Sequence, residues 1–375
     1  MDVSSEMLYA ITPLFLTIVL GASMSILGAI EGIAEGTASV LKGVSGWHSD
    51  RIRKRRIFLF SGYGLSALSK PLLAIAAGWP MVLLARFMDR FGKGVRTTAR
   101  DALIADSISP SRRGWAFGLH RAMDTIGAFV GVGISLILLI WLQNREQAES
   151  TFRLLYWLAF LPAVAAVLLI FAIREIPPRQ PAQSVVKVLN LRFGRRYYSV
   201  LALFSLFALA NSSDAFLLLR ARNLGLSVVM VVAAYLCYNA SYAALSYPIG
   251  RLADRIPKER LLAIGLLIYA AVYLGFAVTQ SFWMVWPLFA FYGIYIAMTD
   301  GVSKALVSNL VASHVRGTAF GLFNMVLGVL AVFASVLAGV LWDRVSPSAP
   351  FFAGSGMAFL AALGFLVLRP TPCAE

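Results

Sequence analysis

Cysteine, histidine and acidic side chains are all scarce in this chain of 375 residues. The two cysteines, Cys237 and Cys373, exclude a disulfide framework, and no cluster with metal-ligand spacing includes them. The sequence also lacks a nucleophile constellation, a phosphate-binding loop and a cleavable signal peptide. We therefore expect no bound metal, no cofactor and no enzymatic activity.

Charge of either sign is also limited, because charged residues are only 14% of the chain whereas hydrophobic residues are 59%. With a mean hydropathy of +0.77, the chain has more apolar surface than one soluble core of this length can hide. Apolar runs of roughly 20 residues recur throughout, and each is long enough to cross a hydrocarbon layer of about 30 Å as a helix. The sequence predicts an all-α protein that spans the lipid bilayer many times.

The net charge of +15 raises the alternative of nucleic-acid binding, but most Lys and Arg lie in short loops between apolar runs. Such loops mark the cytoplasmic side of a membrane protein, so we expect no nucleic-acid partner. The basic loops include 51–56, 112–113, 174–196, 251–260 and Arg316. This distribution predicts that the linker and the C-terminus lie in the cytoplasm. We expect the chain to reside in a bacterial-type cytoplasmic (inner) membrane.

Twelve spans follow from apolar length and loop polarity, and the first of them is short. They cover 7–19, 22–45, 57–76, 79–106, 114–141, 152–173, 197–219, 227–249, 261–280, 283–311, 317–342 and 349–368. The stretch 174–196 contains three prolines among charged residues and is the one long polar interruption. We interpret 1–173 as an N-terminal bundle, 174–196 as a linker, 197–369 as a C-terminal bundle and 370–375 as a tail.

An internal repeat relates the two halves. Gly46, Asp50 and Arg51 recur at a fixed offset as Gly250, Asp254 and Arg255, and the segment 113–119 (RGWAFGL) recurs at nearly that offset as 316–322 (RGTAFGL). Parallel repeats of six spans are typical of secondary transporters, whose substrate site lies between the halves near the bilayer midplane.

These loops resemble the major facilitator superfamily over essentially the whole chain. The family loop Gly-x-x-x-Asp-Arg-x-Gly-Arg-Arg is matched by 46–55, with Arg53 in place of the second glycine. The resemblance implies two six-helix bundles related by a pseudo-two-fold axis, transport of a small molecule by alternating access, and a monomer. It also implies that the repeated loops, with residues Gly46, Asp50, Arg51, Gly250, Asp254 and Arg255, act as a conformational latch; the alternative is that their arginines only enforce topology.

Two further family patterns are present in part. The fourth-helix pattern of an arginine followed by glycines resembles Arg86, Gly92 and Gly94. The fifth-helix antiporter pattern is matched by Gly118, Gly127 and Gly131, but its proline and last two glycines are replaced, which counts against antiport. The family's first helix is longer than the span 7–19, so the resemblance implies a first helix that lacks part of its length.

Ionisable residues within the spans are costly to insert and are therefore candidates for the substrate or proton pathway. Those of the fourth span recur every three or four residues and share an arc of about 120° on one helix face. They are Arg86, Asp89, Arg90, Lys93, Arg96 and Arg100. This face must line a polar cavity or meet carboxylates, because it cannot face lipid.

Carboxylates in neighbouring spans are the expected partners of this basic face. We expect Glu31 or Glu35 to pair with Arg86, Arg90 or Lys93, and Asp124, which lies near Arg121 in the fifth span, to pair with Arg96 or Arg100. Two interpretations remain open: the groups form static ion pairs, or a carboxylate exchanges a proton while surplus basic groups bind an anionic substrate.

The second half has fewer polar groups within its spans. The candidates there are Asn211, Asp214, Asn239, Asp300, Lys304 and Asn324. Asp300 and Lys304 are four residues apart and are equally explained as a pair along one helix. Tyrosines such as Tyr235, Tyr238 and Tyr292 line a substrate cavity or serve only in packing.

The leading functional hypothesis is a secondary active transporter that exports a small molecule in exchange for protons. The alternatives are an importer or exchanger of organic anions, and a truncated membrane paralogue or receptor that does not transport.

Overall fold

A computed structural model describes residues 1–52, 55–109, 112–142, 149–172, 193–253, 255–311 and 315–368. These residues form helices joined by short connections, and none of them lies in a β-strand. The prediction of an all-α membrane fold is thereby confirmed. The helices are α1 Asp2–Tyr9, α2 Ile11–Leu14, α3 Met24–Ile52, α4 Arg55–Ala74, α5 Trp79–Ser107, α6 Arg113–Trp141, α7 Glu149–Phe171, α8 Arg195–Ala210, α9 Ala215–Asn223, α10 Val228–Ala253, α11 Lys258–Val278, α12 Val285–Asn309, α13 Arg316–Arg344 and α14 Ala349–Val367.

Eleven helical segments among the described residues are long and apolar enough to cross a membrane. The helix α5 is not one of them, although its 29 residues would extend about 43 Å, because its charged stripe lowers its hydropathy. The first segment is longer than the predicted span 7–19. It begins at Asp2, continues through a π-helical turn at Phe15–Val19, and provides 18 residues of sufficient hydropathy.

The chain divides into two compact units. The first contains residues 1–22 and 33–190, and the second contains 23–32 and 191–375. The helix α3 is thus shared: its first residues pack in the second unit and the remainder packs in the first.

Close helix contacts in the first unit depend on glycine. A Cβ atom on Gly131 of α6 would collide with the backbone oxygen of Val3 on α1, and one on Gly62 of α4 would lie 2.7 Å from the Gly92 oxygen of α5. Small residues at these crossings allow the helix backbones to approach closely in a setting without a hydrophobic driving force between helices. Hydroxyls reinforce the contacts, since Ser135 Oγ donates to the Met7 oxygen at 2.7 Å.

In the second unit, the first residues of α3 pack on α13. The Asp343 carboxylate accepts hydrogen bonds from the backbone N–H groups of Met24 at 3.1 Å and Ser25 at 2.7 Å, and from Ser25 Oγ at 2.6 Å. It therefore satisfies donors that a helix start leaves without intrahelical partners. A Cβ atom on Gly28 would collide with the Ser335 oxygen, so this contact also needs a glycine.

The predicted span 197–219 is not one helix, which corrects our expectation. It is interrupted between Ala210 and Ala215, where the sequence is Asn-Ser-Ser-Asp. Short polar side chains compete for backbone hydrogen bonds and favour such breaks. The Ser213 side chain accepts from the Ala215 N–H at 3.3 Å, while the Ser213 N–H donates to Ser335 Oγ at 3.2 Å. The interruption is called the α8–α9 break below.

Candidate functional site: a buried ionic network and a helix break

The charged stripe of α5 lies inside the first unit, as its pattern predicts. Arg86, Arg90 and Arg96 are 8%, 8% and 4% exposed. A guanidinium cannot be left without polar partners at this degree of burial, because the cost of an unpaired buried charge is several kcal/mol or more. The neighbouring helices α3 and α4 supply polar groups.

The best-defined ion pair in the network joins α4 and α5. Lys70 is 2% exposed, and its Nζ donates to Asp89 Oδ1 at 2.7 Å. Our sequence reasoning missed Lys70, although a lysine within the otherwise apolar span 57–76 was itself a signal. Asp89 therefore forms an ion pair with a lysine on α4, and it also lies between Arg86 and Arg90 on its own helix.

Arg96 is held by a hydroxyl and an aromatic ring of α4. Its Nη1 donates to Ser66 Oγ at 2.6 Å, and its guanidinium carbon lies 4.6 Å from the centre of the Tyr63 ring. Ser66 Oγ in turn donates to the backbone oxygen of Asp89 at 3.1 Å. A cation over an aromatic face gains about 0.5 to 2 kcal/mol, depending on its desolvation.

Glu35 on α3 meets Arg90, one of the partners expected for it. Arg90 Nη1 lies 3.8 Å from Glu35 Oε2, and the Glu35 side chain is half-exposed while Arg90 is buried. Glu35 lies within the membrane-spanning part of α3. The Glu35 carboxylate is thus the more exposed member of this pair.

Asp124 on α6 does not form the ion pair that we expected with Arg96 or Arg100. Its Oδ2 lies 3.3 Å from Nδ1 of His120, one turn earlier on the same helix. Arg100 pairs with its neighbour Asp101 at 3.0 Å, and Arg96 is engaged by α4. The expected pairing rested on the similar depth of Asp124, Arg96 and Arg100 in the membrane. Depth alone did not predict the observed partners, because a group one turn away on the same helix competes with groups on other helices.

Some polar residues of the second unit meet at the α8–α9 break. Asp214 accepts a hydrogen bond at 2.6 Å from the hydroxyl of Tyr292 on α12. Ser213 Oγ lies 3.5 Å from Glu31 Oε2 on the first part of α3. Glu31 thus belongs to a different group from Glu35, although the two residues are one turn apart.

Buried tyrosines of α11 and α12 surround this break. Tyr269 and Tyr273 stack with ring centres 4.0 Å apart, and Tyr292 and Tyr295 lie 5.2 Å apart. The hydroxyl of Tyr269 donates to the Ala210 oxygen at 2.9 Å, at the end of α8. These rings pack against one another and bring hydroxyl groups to the end of α8, which agrees with the packing interpretation.

Other predicted residues of the second unit lie apart from the break. Lys304 Nζ donates to Asp300 Oδ1 at 2.8 Å, which is the pairing along one helix that we had considered. Asn239 Nδ2 donates to the Tyr235 oxygen of the preceding turn at 2.9 Å, and Asn324 is exposed.

The predicted latch is described only in part. The side chains of Asp50 and Arg51, the surroundings of Gly46, and the whole of Asp254 lie outside the described residues, as does the side chain of the pathway candidate Arg121. Gly250 and Arg255 are exposed at the end of α10.

Two charged residues of the second unit that we had assigned to loops or left aside are buried. Arg220 is 7% exposed on α9, and its guanidinium donates to the Phe276 oxygen, Asn223 Oδ1 and Ser348 Oγ at 2.7 to 3.0 Å. Glu259 is fully buried and pairs with Arg196 at 2.8 Å. Both residues lie just outside the predicted spans, and only ionisable residues within the spans were taken as candidates.

Known proteins are similar to this chain in sequence or in fold. The sequence profile of the Major Facilitator Superfamily matches residues 1–231 and 198–374. An uncharacterized MFS-type transporter of Methanocaldococcus jannaschii is 34% identical over 373 residues, which are 98% of this chain and 92% of that protein. A probable 4-methylmuconolactone transporter of Cupriavidus pinatubonensis is 24% identical over 341 residues, 84% of this chain and 75% of that one.

Solved structures agree in fold at low sequence identity. A mutant of the nucleoside transporter NupG has a TM-score of 0.77 at 14% identity, with 97% of this chain and 98% of that chain covered. A D-xylose–proton symporter has a TM-score of 0.77 at 16% identity, with 98% and 96% covered. The pattern of membrane spans and the internal repeat in the sequence agree with these matches, which extend over nearly the whole chain. This multi-pass membrane transporter belongs to the major facilitator superfamily.

Proposed function

We propose that the protein exports a small molecule across a cytoplasmic membrane by alternating access and that inward proton flow drives the export. The observation that carries proton coupling is the contact between His120 and Asp124 on α6, whose Nδ1 and Oδ2 atoms lie 3.3 Å apart; Asp124 is inside the membrane-spanning segment and His120 lies just before it. Histidine is the side chain whose ordinary pKa lies nearest to physiological pH. A partly accessible histidine–carboxylate pair is a chemically suitable proton carrier.

Glycines on the same helix allow α6 to pack closely on α1. Gly127 and Gly131 occupy positions of the family's antiporter pattern, and both face α1: a Cβ atom on Gly127 would lie 3.4 Å from Asp2 Cβ, and one on Gly131 would meet the Val3 backbone. Close backbone contact between α1 and α6 places Asp2 beside Asp124. Two carboxyl groups therefore lie close together, and the His120 imidazole lies beside one of them.

The competing proposal is uptake or exchange of an organic anion. It is favoured by the buried cations Lys70, Arg86, Arg90 and Arg96, and by the half-exposed position of Glu35 next to Arg90. The similarity to a probable 4-methylmuconolactone transporter is consistent with a small organic substrate. Under this proposal a substrate carboxylate would replace Glu35 as the partner of Arg90, in the manner of bidentate arginine recognition.

A measurement of proton movement across the membrane of proteoliposomes distinguishes the two proposals. Full-length protein is reconstituted around an internal pH-sensitive dye, and small molecules that raise the melting temperature of the purified protein are added one at a time. Under proton-linked export, a substrate changes the internal pH of wild-type vesicles, Asp124→Asn abolishes the change, and the matched variant Asp101→Asn retains it.

The opposite outcome favours anion exchange. Labelled organic acids would then exchange across the vesicle membrane without any pH change, and Arg90→Gln would stop that exchange while Asp124→Asn would not. A pH response that persists unaltered in Asp124→Asn would remove this residue from the proton pathway.

A further inference from the structure

A basic cavity opens at the C-terminal end of α10. Its volume is about 340 Å³, and it is lined by Pro248, Arg251, Leu252 and Arg255. The helix ends at Ala253, and the Arg255 N–H donates to the Leu252 oxygen at 3.0 Å, so a tight turn follows the helix. Two arginines therefore border one cavity together with two apolar side chains.

The two arginines of this cavity differ from the buried arginine of α9. Arg220 donates to several acceptors of the protein. Among the residues that the structure describes, the guanidinium groups of Arg251 and Arg255 donate to no carboxylate. The Arg251 guanidinium carbon lies 5.8 Å from the centre of the Tyr247 ring, which supports the cation. The N–H groups of both arginines remain available for an anionic ligand.

The cavity lies at the edge of the membrane-spanning part of the helix. The span 228–253 is long and apolar enough to cross a bilayer, and Arg251 is in its last turn. Tyr247 is 72% exposed and Leu252 is 40% exposed. Tyrosine is enriched at the level of the lipid head groups, and a basic group there is within reach of lipid phosphates. The cavity thus combines cations with an apolar rim, as a site for an amphipathic anion requires.

Two simpler roles of these arginines need only their positive charge. Arginines next to a span orient it in the membrane, and cations stabilise the C-terminal end of a helix. Neither role requires that two arginines border one cavity, or that one of them lie over an exposed tyrosine. The shared cavity therefore favours a bound ligand.

We propose that this cavity binds the phosphate group of an anionic phospholipid. Arg251 and Arg255 donate to the phosphate oxygens, since a planar guanidinium matches two oxygens of a phosphate. The apolar part of the same lipid, next to its head group, contacts Pro248, Leu252 and the Tyr247 ring. Basic pockets at the cytoplasmic side of membrane helices suit such head groups. The site lies in the second unit, and it depends neither on proton coupling nor on the direction of transport.

Thermal unfolding of the purified, delipidated full-length protein in detergent tests the site without any transport substrate. The protein is titrated with phosphatidylglycerol, phosphatidylcholine or inorganic phosphate at constant ionic strength. A ligand of the folded state stabilises it by mass action, so we expect a saturable rise in melting temperature of about 2 to 4 °C with phosphatidylglycerol. The other two additions should raise it by about 1 °C or less.

Double variants with the same loss of charge locate the response. Arg251→Gln with Arg255→Gln is expected to remove most of the effect of phosphatidylglycerol. Lys258→Gln with Arg260→Gln removes two positive charges from the start of α11, outside the cavity, and is the matched control that keeps the effect. Arg251→Lys with Arg255→Lys retains both charges but lacks the guanidinium fork, so the apparent affinity should fall about tenfold.

Native mass spectrometry of the same preparations counts bound lipid molecules and does not rely on unfolding. The glutamine double variant at 251 and 255 should retain one phosphatidylglycerol molecule fewer than the wild type. Equal losses in the two glutamine double variants would overturn the proposal, because the lipid would then respond only to net charge. An equal rise in melting temperature with phosphatidylcholine or with inorganic phosphate would overturn it as well, since the ligand would then need no anionic lipid.

The lysine double variant keeps the proposal testable if the glutamine double variant at 251 and 255 does not fold. It preserves the charge that orients the span and stabilises the helix end. An affinity for phosphatidylglycerol that this variant leaves unaltered would show that the two guanidinium groups do not hold the phosphate.

Discussion

Lys70 and Asp89 illustrate how burial changes the contribution of an ion pair to the stability of the fold. Both atoms of the pair are shielded, with side-chain exposures of 2% and 13%. The pair Lys304–Asp300 has almost the same distance, 2.8 Å against 2.7 Å, but its side chains are 60% and 34% exposed. Solvent screening makes exposed pairs worth little, whereas removing one partner of a buried pair leaves an uncompensated charge.

We therefore expect Lys70→Met to destabilise the protein by about 3 to 5 kcal/mol, because Asp89 would remain buried without its ammonium partner. The control Lys304→Met should cost about 1 kcal/mol or less. Thermal unfolding of both variants in detergent measures the difference.

The double variant Lys70→Met with Asp89→Leu completes the comparison. It should regain a large part of the lost stability, since two apolar side chains can replace a buried ion pair. A double variant that is less stable than Lys70→Met would show that Asp89 is held chiefly by other groups.

Arg220 is a second residue whose role depends on its surroundings. Its planar guanidinium donates to acceptors on three sides, including the Phe276 oxygen at 3.0 Å and Ser348 Oγ at 3.0 Å, and so joins α9 to the ends of α11 and α14. Lysine cannot reproduce this fork of donors. We expect Arg220→Lys to lower the melting temperature by several degrees, at a cost of about 2 kcal/mol.

Arg222 on the same helix is the matched control for that substitution. Among the described residues, its side chain donates one hydrogen bond, from Nη1 to the Leu226 oxygen at 2.7 Å. Arg222→Lys keeps a positive charge and should change the melting temperature much less than Arg220→Lys. Equal effects of the two lysine variants would contradict the importance of the guanidinium geometry at position 220.

At the scale of helices, the contact between α1 and α6 is set by one glycine. A Cβ atom on Gly131 would meet the Val3 oxygen and the Met7 nitrogen, whereas one on Gly133 would meet no described atom within 4 Å. Both positions are in the same helix, so they share the same backbone propensity for helix.

Alanine substitution at these two glycines should therefore have opposite effects. Gly131→Ala should separate α1 from α6 and lower the melting temperature, with a cost of about 1 to 3 kcal/mol from overpacking. Gly133→Ala should be neutral or stabilise the protein by up to about 1 kcal/mol, since alanine is the better helix former. A neutral Gly131→Ala would mean that the α1–α6 crossing adjusts without strain.

Helix prediction from the sequence succeeded where the signal is local. Apolar length located the membrane-spanning helices, and the three- and four-residue spacing of the charges on α5 correctly placed Arg86, Arg90 and Arg96 on a buried face. The α8–α9 break was missed, because the segment Asn211–Asp214 lies within a hydrophobic run whose mean hydropathy conceals four polar residues. Local competition of side chains with the backbone, rather than hydropathy, decides such interruptions.

At the scale of the whole molecule, the distribution of Lys and Arg predicts the orientation in the membrane. The loop after α5 should lie in the cytoplasm and the loop after α11 should lie outside. In a background without the two native cysteines, Gln280→Cys should react with a membrane-impermeant maleimide added to intact cells. Ser109→Cys should react only after the membrane is permeabilised, and the reverse pattern would invert the proposed topology.

The sequence by itself determined the membrane-spanning all-α class, the internal repeat and the resemblance to the transporter family. These properties follow from apolar length, charge spacing and motifs, each of which is complete within a short stretch of chain. Only the tertiary structure decided that Lys70 pairs with Asp89, that Asp124 faces His120, and that Glu31 belongs to the second unit with Ser213. Partner choice among charged groups depends on distances of a few ångströms between helices that are remote in sequence, and hydropathy and spacing carry no such distances.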